Sequence, residues 1–539
     1  MKKYISLFLA AALLSVSSCD GDFAEINTDP NKANGELFDP NLILPTVCYN
    51  YGGMMTGYTG AILFQSMWVQ VLASTSTGGA NYYSNADKYV ASGSTNNYIQ
   101  SVWNDGFATA SRTYQMQKLA EEKGYNNLVT VGEIWKVLTL SFVSDVYGDL
   151  PYSEALMAEE GITQPKYDSQ SEAYKAMLAD LEGALSAMNE SGDKIKNDVL
   201  YRGDLAKWKK LGYSIMLRMA MRLVEVDPAM AQSYVDKALA GGVFASPEDE
   251  AVLVSDQANG YNNSSANALN VVDDVYEVRW SKTLIDYLKA NNDPRLPIIA
   301  EVPKNGLAAN KDPKGVGNND PAAQIGLPNG YDLKGGATDV SKAPNYPGPT
   351  PANPAVDKDA AAPIGNYSRP TAIYRDRSAP VFILTYAEIQ FLLADAAARG
   401  LKVPGTASAY YAAGLQAALT SINKFGGGTI SEFQAAAYVA ANPLDTSSAT
   451  ASLMMINKQI WATTGLFANF VESWNNWKRS GYPELTPVNY AGNFSSGQIP
   501  TRQLYPSSES TTNPSSLAKA ISNMGGDTWI NNVWWDTEN

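Results

Sequence analysis

The chain has 539 residues, 54 acidic against 40 basic side chains, a formal net charge of −14 and no histidine. The acidity argues against nucleic acid and against direct adhesion to anionic lipid. The missing histidine excludes a Ser-His-Asp triad, a Cys-His dyad and any histidine metal site.

Residues 1–18 read as a lipoprotein signal. Lys2 and Lys3 precede an apolar run from Ile5 to Leu14, about the length of a signal core and too short to span a bilayer. Val16, Ser17 and Ser18 lead to Cys19, which is the expected lipidation site and the first residue of the mature protein. Two or three acyl chains then hold it, at about 0.8 kcal/mol per buried methylene. Losing Lys2 and Lys3 takes the charge from −14 to −16, and Asp20, Asp22 and Glu25 keep the tether solvated. With Cys19 acylated, Cys48 is the one thiol left, so neither an intrachain disulfide nor a thiolate cluster can form. Its apolar surroundings make it a small buried hydrophobe. No cofactor is expected, and any enzyme here would run on carboxylates, tyrosines or lysines.

Helical patterning dominates the chain beyond the signal. Helices are predicted near 55–73 and 98–122, and Ile134 to Val146 is apolar on most sides, as in a buried helix that Gly148 and Pro151 end. Ser169 and Glu172 have capping-box spacing, with Tyr174, Met177, Leu181, Leu185 and Met188 as the apolar stripe. Asp204 caps a helix whose stripe is Leu205, Trp208, Leu211, Ile215, Met219 and Leu223. Further helices are predicted at 229–240, 277–290, 407–424, 430–440, 450–464 and 466–480. Thr385 and Glu388 repeat the capping-box spacing ahead of another that Gly400 stops. The best strand is Ala379 to Leu384. The fold expected is mainly α, with helix pairs resembling tetratricopeptide repeats but no strict 34-residue period, minor β and long irregular loops. Residues 303–378 are the longest of these, rich in Pro, Gly, Asn and Asp and far beyond the roughly 12–15 residues of an ordinary loop.

Seven motifs in order resemble the SusD/RagB family of Bacteroidota outer-membrane lipoproteins, in the branch that opens Asn-Thr-Asp-Pro-Asn. They are Ile26 to Asn31, Asp145 to Ala155, Leu217 to Arg222, Asn292 to Arg295, Leu384 to Ala396, Ser473 to Pro483, and Ile499 to Arg502 with Tyr505-Pro506. The acidic residues after Cys19 resemble the family's surface-export signals. The resemblance implies one domain over 19–539, made of four tetratricopeptide-like helix pairs with ligand-bearing loops. It implies a non-catalytic protein on the cell surface, anchored in the outer membrane, that captures glycan oligosaccharides, or in some members peptides. It also implies a partner, a SusC-like TonB-dependent barrel transporter.

The motif residues have structural readings of their own. Arg218, Arg222, Arg479 and Arg502 read as scaffold ion-pair and carbonyl-capping groups. Asn27 to Asn31 read as a turn pinning the tether, and Thr385 and Glu388 as caps. The motifs mark the family without locating a ligand.

Sugar recognition needs aromatic faces flanked by groups that match hydroxyls, and the chain offers 31 Tyr and 11 Trp. The best linear candidate is the loop 74–89, with Asn81, Tyr82, Tyr83 and Asn85 beside Asp87. A second set is Tyr331, Tyr346 and Tyr367 in the long excursion. Trp280 reads as core, and Trp474 and Trp477 as helix packing. Trp534-Trp535 reads as an exposed platform or a docking contact. Asp312 to Asp320 offer hard oxygens for calcium, but the spacing fits no EF-hand, and Gly426 to Gly428 read as a turn. Alternatives to glycan capture are peptide binding, a two-carboxylate surface glycosidase and a purely structural lipoprotein.

Overall fold

A computed structural model describes residues 38–75, 86–270 and 278–537. The chain divides into two units, Met1–Pro40 and Asn41–Asn539; of the first only 38–40 are described. Cys19 and the Asn27–Asn31 turn therefore lie outside the described residues.

The second unit is built from helix pairs. Among the described residues the helices of nine or more residues are α1 (Leu44–Met55), α2 (Ser101–Glu122), α3 (Asn126–Tyr147), α4 (Gln170–Ala187), α5 (Leu205–Arg222), α6 (Pro228–Gly241) and α7 (Lys282–Ala290). After the long excursion come α8 (Tyr386–Ala398), α9 (Ala407–Ser421), α10 (Glu432–Ala441), α11 (Ala449–Leu466), α12 (Phe470–Ser480) and α13 (Pro514–Asn523). Four neighbouring pairs pack against each other: α2 with α3, α5 with α6, α8 with α9, and α11 with α12. Among the described residues no helix is long and apolar enough to cross a membrane.

Local chemistry sets the boundaries. Ser169 and Glu172 form a reciprocal capping box, and Asp204 accepts from the Lys207 amide. Each satisfies amides that a helix start leaves without partners. At Thr385 the hydroxyl caps the Glu388 amide, but Glu388 does not complete a box. Its carboxylate instead takes two hydrogen bonds from Arg218, at 2.6 and 2.8 Å. Helix α3 is buried along most of its length and ends at Gly148, whose φ of 90° suits glycine.

Two predicted elements are corrected. Instead of a helix over 55–73, α1 ends at Met55, and Gly57 turns the chain to extended geometry, with φ −56° and ψ 133°. A π turn, a four-residue helix and strand β1 (Leu72–Ser74) come next. Gly60 lies so close to α2 that a Cβ would meet Val102 Cγ2 at 2.5 Å. The apolar run is therefore folded back on itself, which periodicity alone does not reveal. Instead of a helix over 277–290, strand β3 (Val278–Trp280) pairs antiparallel with β1, and Ser281 caps α7. Strand β2 (Ala251–Leu253) pairs with β6 (Val381–Leu384), the strand expected from the sequence.

The 303–378 excursion is ordered by anchoring. Strand β4 (Ala300–Glu301) pairs with β5 (Arg369–Pro370). Leu327 exchanges backbone hydrogen bonds with Trp280 and Lys282, at 2.9 and 2.8 Å. Asn318, Asp332, Asp339 and Asn353 each accept the amide two residues on. These side chains do locally what a ladder would do elsewhere. The oxygens considered for calcium serve such turns, Asp312 capping Lys314 and Asp320 capping Ala322.

Within the described residues, the motifs singled out from the sequence converge on buried polar contacts. Asp145 on α3 accepts from the Tyr174 hydroxyl, Trp535 Nε1 at 3.0 Å and Asn475 at 3.1 Å. Arg222 donates to both oxygens of Glu472, at 2.6 and 2.7 Å. Arg479 reaches Asp395 at 3.1 Å and Arg502 reaches Asp527 at 2.9 Å. Arg295 binds Asp293 and then Thr463 and Gln459 on α11. Polar groups this deep are stable only when partnered, so Arg218, Arg222, Arg479 and Arg502 hold the scaffold, as their sequence context implied. Cys48, Trp280 and Trp474 are buried, as is Trp535, which joins the Asp145 contacts rather than forming a platform.

Candidate functional site

Near Leu72 and Asp87, four segments enclose an open cleft of about 360 Å³. Its walls come from Gln70, from Lys282 and Thr283 at the start of α7, from 328–331 with Ala337 and Thr338, and from 486–489. Hydrogen bonds tie these walls to the scaffold and to one another. Asn329 Nδ2 donates to Leu72 O at 2.9 Å, and Gln70 Nε2 to Thr486 O at 2.7 Å. The Thr283 hydroxyl donates to Gln70 Oε1 at 2.6 Å.

Against the same segments lies a buried ion pair. Lys88 Nζ contacts Asp87 at 2.6 Å, both side chains being fully buried, and also donates to Ser74 O at 2.8 Å. Asp87 Oδ2 accepts the Gly330 amide at 3.1 Å and the Ser74 amide at 3.4 Å. The two sides of the 76–85 segment are thus tied to each other and to the excursion. A second carboxylate, Asp332, accepts the Tyr490 hydroxyl at 2.6 Å and the Thr338 hydroxyl at 2.8 Å. Burial works against its charge, but these hydrogen bonds, the Lys334 amide and nearby Lys88 hold its carboxyl below the usual range.

Of the residues predicted from sequence, Tyr331 lines this cleft. Tyr346 does not; it is half-buried, and its hydroxyl donates to Pro363 O at 2.6 Å. Tyr331, Tyr346 and Tyr367 nevertheless come together, around a small cluster of Ala73, Leu327, Val340 and Ile364. Tyr367 is 1% exposed and belongs to the buried part of that cluster. Asn81, Tyr82, Tyr83 and Asn85 lie outside the described residues, but Ala73, a few positions before them, belongs to the Tyr331 cluster. Gln70, Thr283, Asn329, Thr338, Asn489 and Tyr490 were not singled out by sequence, being ordinary polar residues from separate segments with no shared spacing.

Among the described residues the lining is amide, hydroxyl, aliphatic and aromatic, and holds no carboxylate. Its one charge, Lys282, pairs with Asp286 one turn along α7. Such a surface matches a neutral, hydroxyl-rich ligand better than an ion.

The chain is a helix-pair scaffold with a ligand-sized cleft in its loops. It belongs to the SusD-like_2 family, described as starch-binding and associating with the outer membrane, whose model matches residues 43–506. A solved chitin-binding protein is similar at 28% identity and a TM-score of 0.75, over 92% of this chain and 99% of its own. A Bacteroidetes AC2a SusD-like structure is similar at 22% identity and a TM-score of 0.76, over 93% of this chain and 100% of its own. A chitin-binding SusD homolog from Flavobacterium johnsoniae shares the fold at 21% identity and a TM-score of 0.70, over 92% of this chain and 99% of its own. No curated protein sequence matches the chain.

Proposed function

We propose that this protein is a lipid-anchored glycan receptor on the cell surface. It captures neutral oligosaccharides at the Tyr331 cleft and passes them, uncleaved, to a SusC-like TonB-dependent transporter. The observation that carries this reading is the cleft itself: an aromatic edge with amide and hydroxyl groups and no carboxylate among the described lining residues, in a chain of a starch-binding family. The family description supports glucose polymers, and the chitin-binding relative at 28% identity supports N-acetylglucosamine polymers. A two-carboxylate hydrolysis needs a pair of acids about 5–9.5 Å apart across the sugar, and the described lining supplies neither. Cys19 anchors the chain in the outer membrane, and Asn81, Tyr82, Tyr83 and Asn85 contribute to ligand binding together with Tyr331.

Calorimetry with chito- and malto-oligosaccharides, alongside a peptide mixture and a reducing-end assay, tests the reading. The expected result is binding of at least one glycan series with no new reducing ends. Release of reducing ends overturns the non-catalytic role. Binding of peptides and no glycan overturns the ligand class. Co-purification with the barrel from outer membranes, lost in Cys19→Ala cells, tests the partner and the anchor together.

A further inference from the structure

Apart from the Tyr331 cleft, a cleft of about 650 Å³ is lined by Gln257, Asn270, Pro313, Lys314, Ala372, Arg375, Asp376 and Arg377. It is larger than the Tyr331 cleft and opposite in character. Three of its residues are cations and one is an acid, in a protein of net charge −14. Asp376 turns its Oδ1 to the Ser378 amide at 2.8 Å. Lys314 and Arg377 are exposed, whereas Arg375 is 4% exposed.

The guanidinium of Arg375 is rigidly built in. It donates to Asp312 O at 2.8 Å, to Gly315 O at 3.2 Å and to Glu301 Oε1 at 2.9 Å. That same Glu301 oxygen also takes Arg369 Nε at 2.8 Å. One carboxylate oxygen is thus divided between two guanidiniums, and the remaining acceptors are carbonyls, which satisfy N–H groups without cancelling charge. Arg375 Nε is buried and has no hydrogen-bond partner among the described residues. Burial and the neighbouring Arg369 push the Arg375 pKa down to about 10 against the opposing pull of Glu301 and Asp312, so the group stays cationic at neutral pH. Asn270 adds a buried carbonyl oxygen, also without a partner among the described residues, that suits a hydroxyl donor. A volume of this size has room for a sugar.

We propose that this cleft is a second ligand site, taking an anionic sugar unit whose carboxylate or sulfate faces Arg375, Arg377 and Lys314. Among the described residues Arg375 supplies a fixed positive charge and an unpartnered Nε, and the exposed Arg377 a free guanidinium, which suits such oxyanions. That the anion is carried on a sugar rests on the glycan-receptor reading; the preference for an anion does not.

The test is calorimetric titration of the full-length protein with glucuronate, glucose 6-sulfate, glucose and inorganic sulfate, at low and at about 0.5 M salt. The first or second sugar should bind, weaken with salt, and weaken about tenfold in Lys314→Ala/Arg377→Ala, whose side chains are exposed. The stronger of the two names the anion. Binding should persist in Tyr331→Ala, which leaves this cleft intact. Equal affinity for glucose, inorganic sulfate binding as tightly as the sugars, or an unchanged affinity in the double variant overturns the proposal. Neutral oligosaccharide binding measured on the same variants reports on the Tyr331 cleft, so the two readings fail separately.

Discussion

Arg222 on α5 and Glu472 on α12 lie 250 residues apart in sequence and meet at 2.6 Å, with side chains 1% and 7% exposed. Removing one partner leaves the other charged and dry. Glu472→Gln or Arg222→Met should each lower unfolding free energy by about 3–5 kcal/mol. The paired apolar replacement should recover part of that loss. Denaturant unfolding followed by tryptophan fluorescence measures all three; single variants within about 0.5 kcal/mol of the parent would show that the pair contributes little.

Asp395 sets a pH dependence. Burial disfavours its charge, but Arg479 and Arg399 more than offset this and hold its carboxyl at about 2, against an ordinary 3.8. The unfolded chain therefore binds the proton more readily. The stabilisation is fully present above about pH 4 and is lost as pH falls through the folded value near 2, for a total of about 2 kcal/mol. In Asp395→Asn, the slope of stability against pH in that window should flatten, in addition to a general loss of stability.

Gly326 allows the long excursion to approach the start of α7. A Cβ there would sit 2.3 Å from Ser281 O and 2.5 Å from Lys282 Cα, both backbone atoms that cannot swing aside. Gly326→Ala should cost about 1–3 kcal/mol. Because Leu327 fixes the neighbouring cleft wall, hydrogen exchange at 327–331 should rise as well.

Tyr331→Ala should weaken oligosaccharide binding by about tenfold, the order of one aromatic contact. Tyr331 is half-buried on a small satellite cluster, so the melting temperature should move by only a few degrees. An unchanged affinity would remove this cleft from consideration.

Tyr82→Ala with Tyr83→Ala tests the adjoining segment. Affinity should fall while thermal stability holds, and adding Tyr331→Ala should give a loss that is not additive, as expected for residues acting on one ligand.

Much of the scaffold was legible in the sequence. The caps at Ser169, Asp204 and Thr385 and the apolar stripes between them encode helix starts and buried faces in local spacing. The misreadings share a cause. Over 55–73 the apolar run suggested a helix, but Gly57 and Gly60 serve a close return of the chain against α2, a long-range contact that spacing does not carry. Glu388 has capping spacing, yet Arg218 claims its carboxylate, because a buried guanidinium needs a charge more than a helix-start amide needs a second acceptor.

The sequence by itself determined the family, the helix-pair architecture and the structural role of Arg218, Arg222, Arg479 and Arg502 and of Trp280, Trp474 and Trp477. These arise from local periodicity and from motifs whose residues must find partners when buried. The tertiary structure alone decided where a ligand could lie. The Tyr331 cleft joins Gln70, Thr283, Asn329 and 486–489, and the Arg375 cleft joins Gln257, Lys314 and Arg377. Such sites have no sequence period because their walls come from separate segments, each anchored by its own hydrogen bonds to a different part of the scaffold.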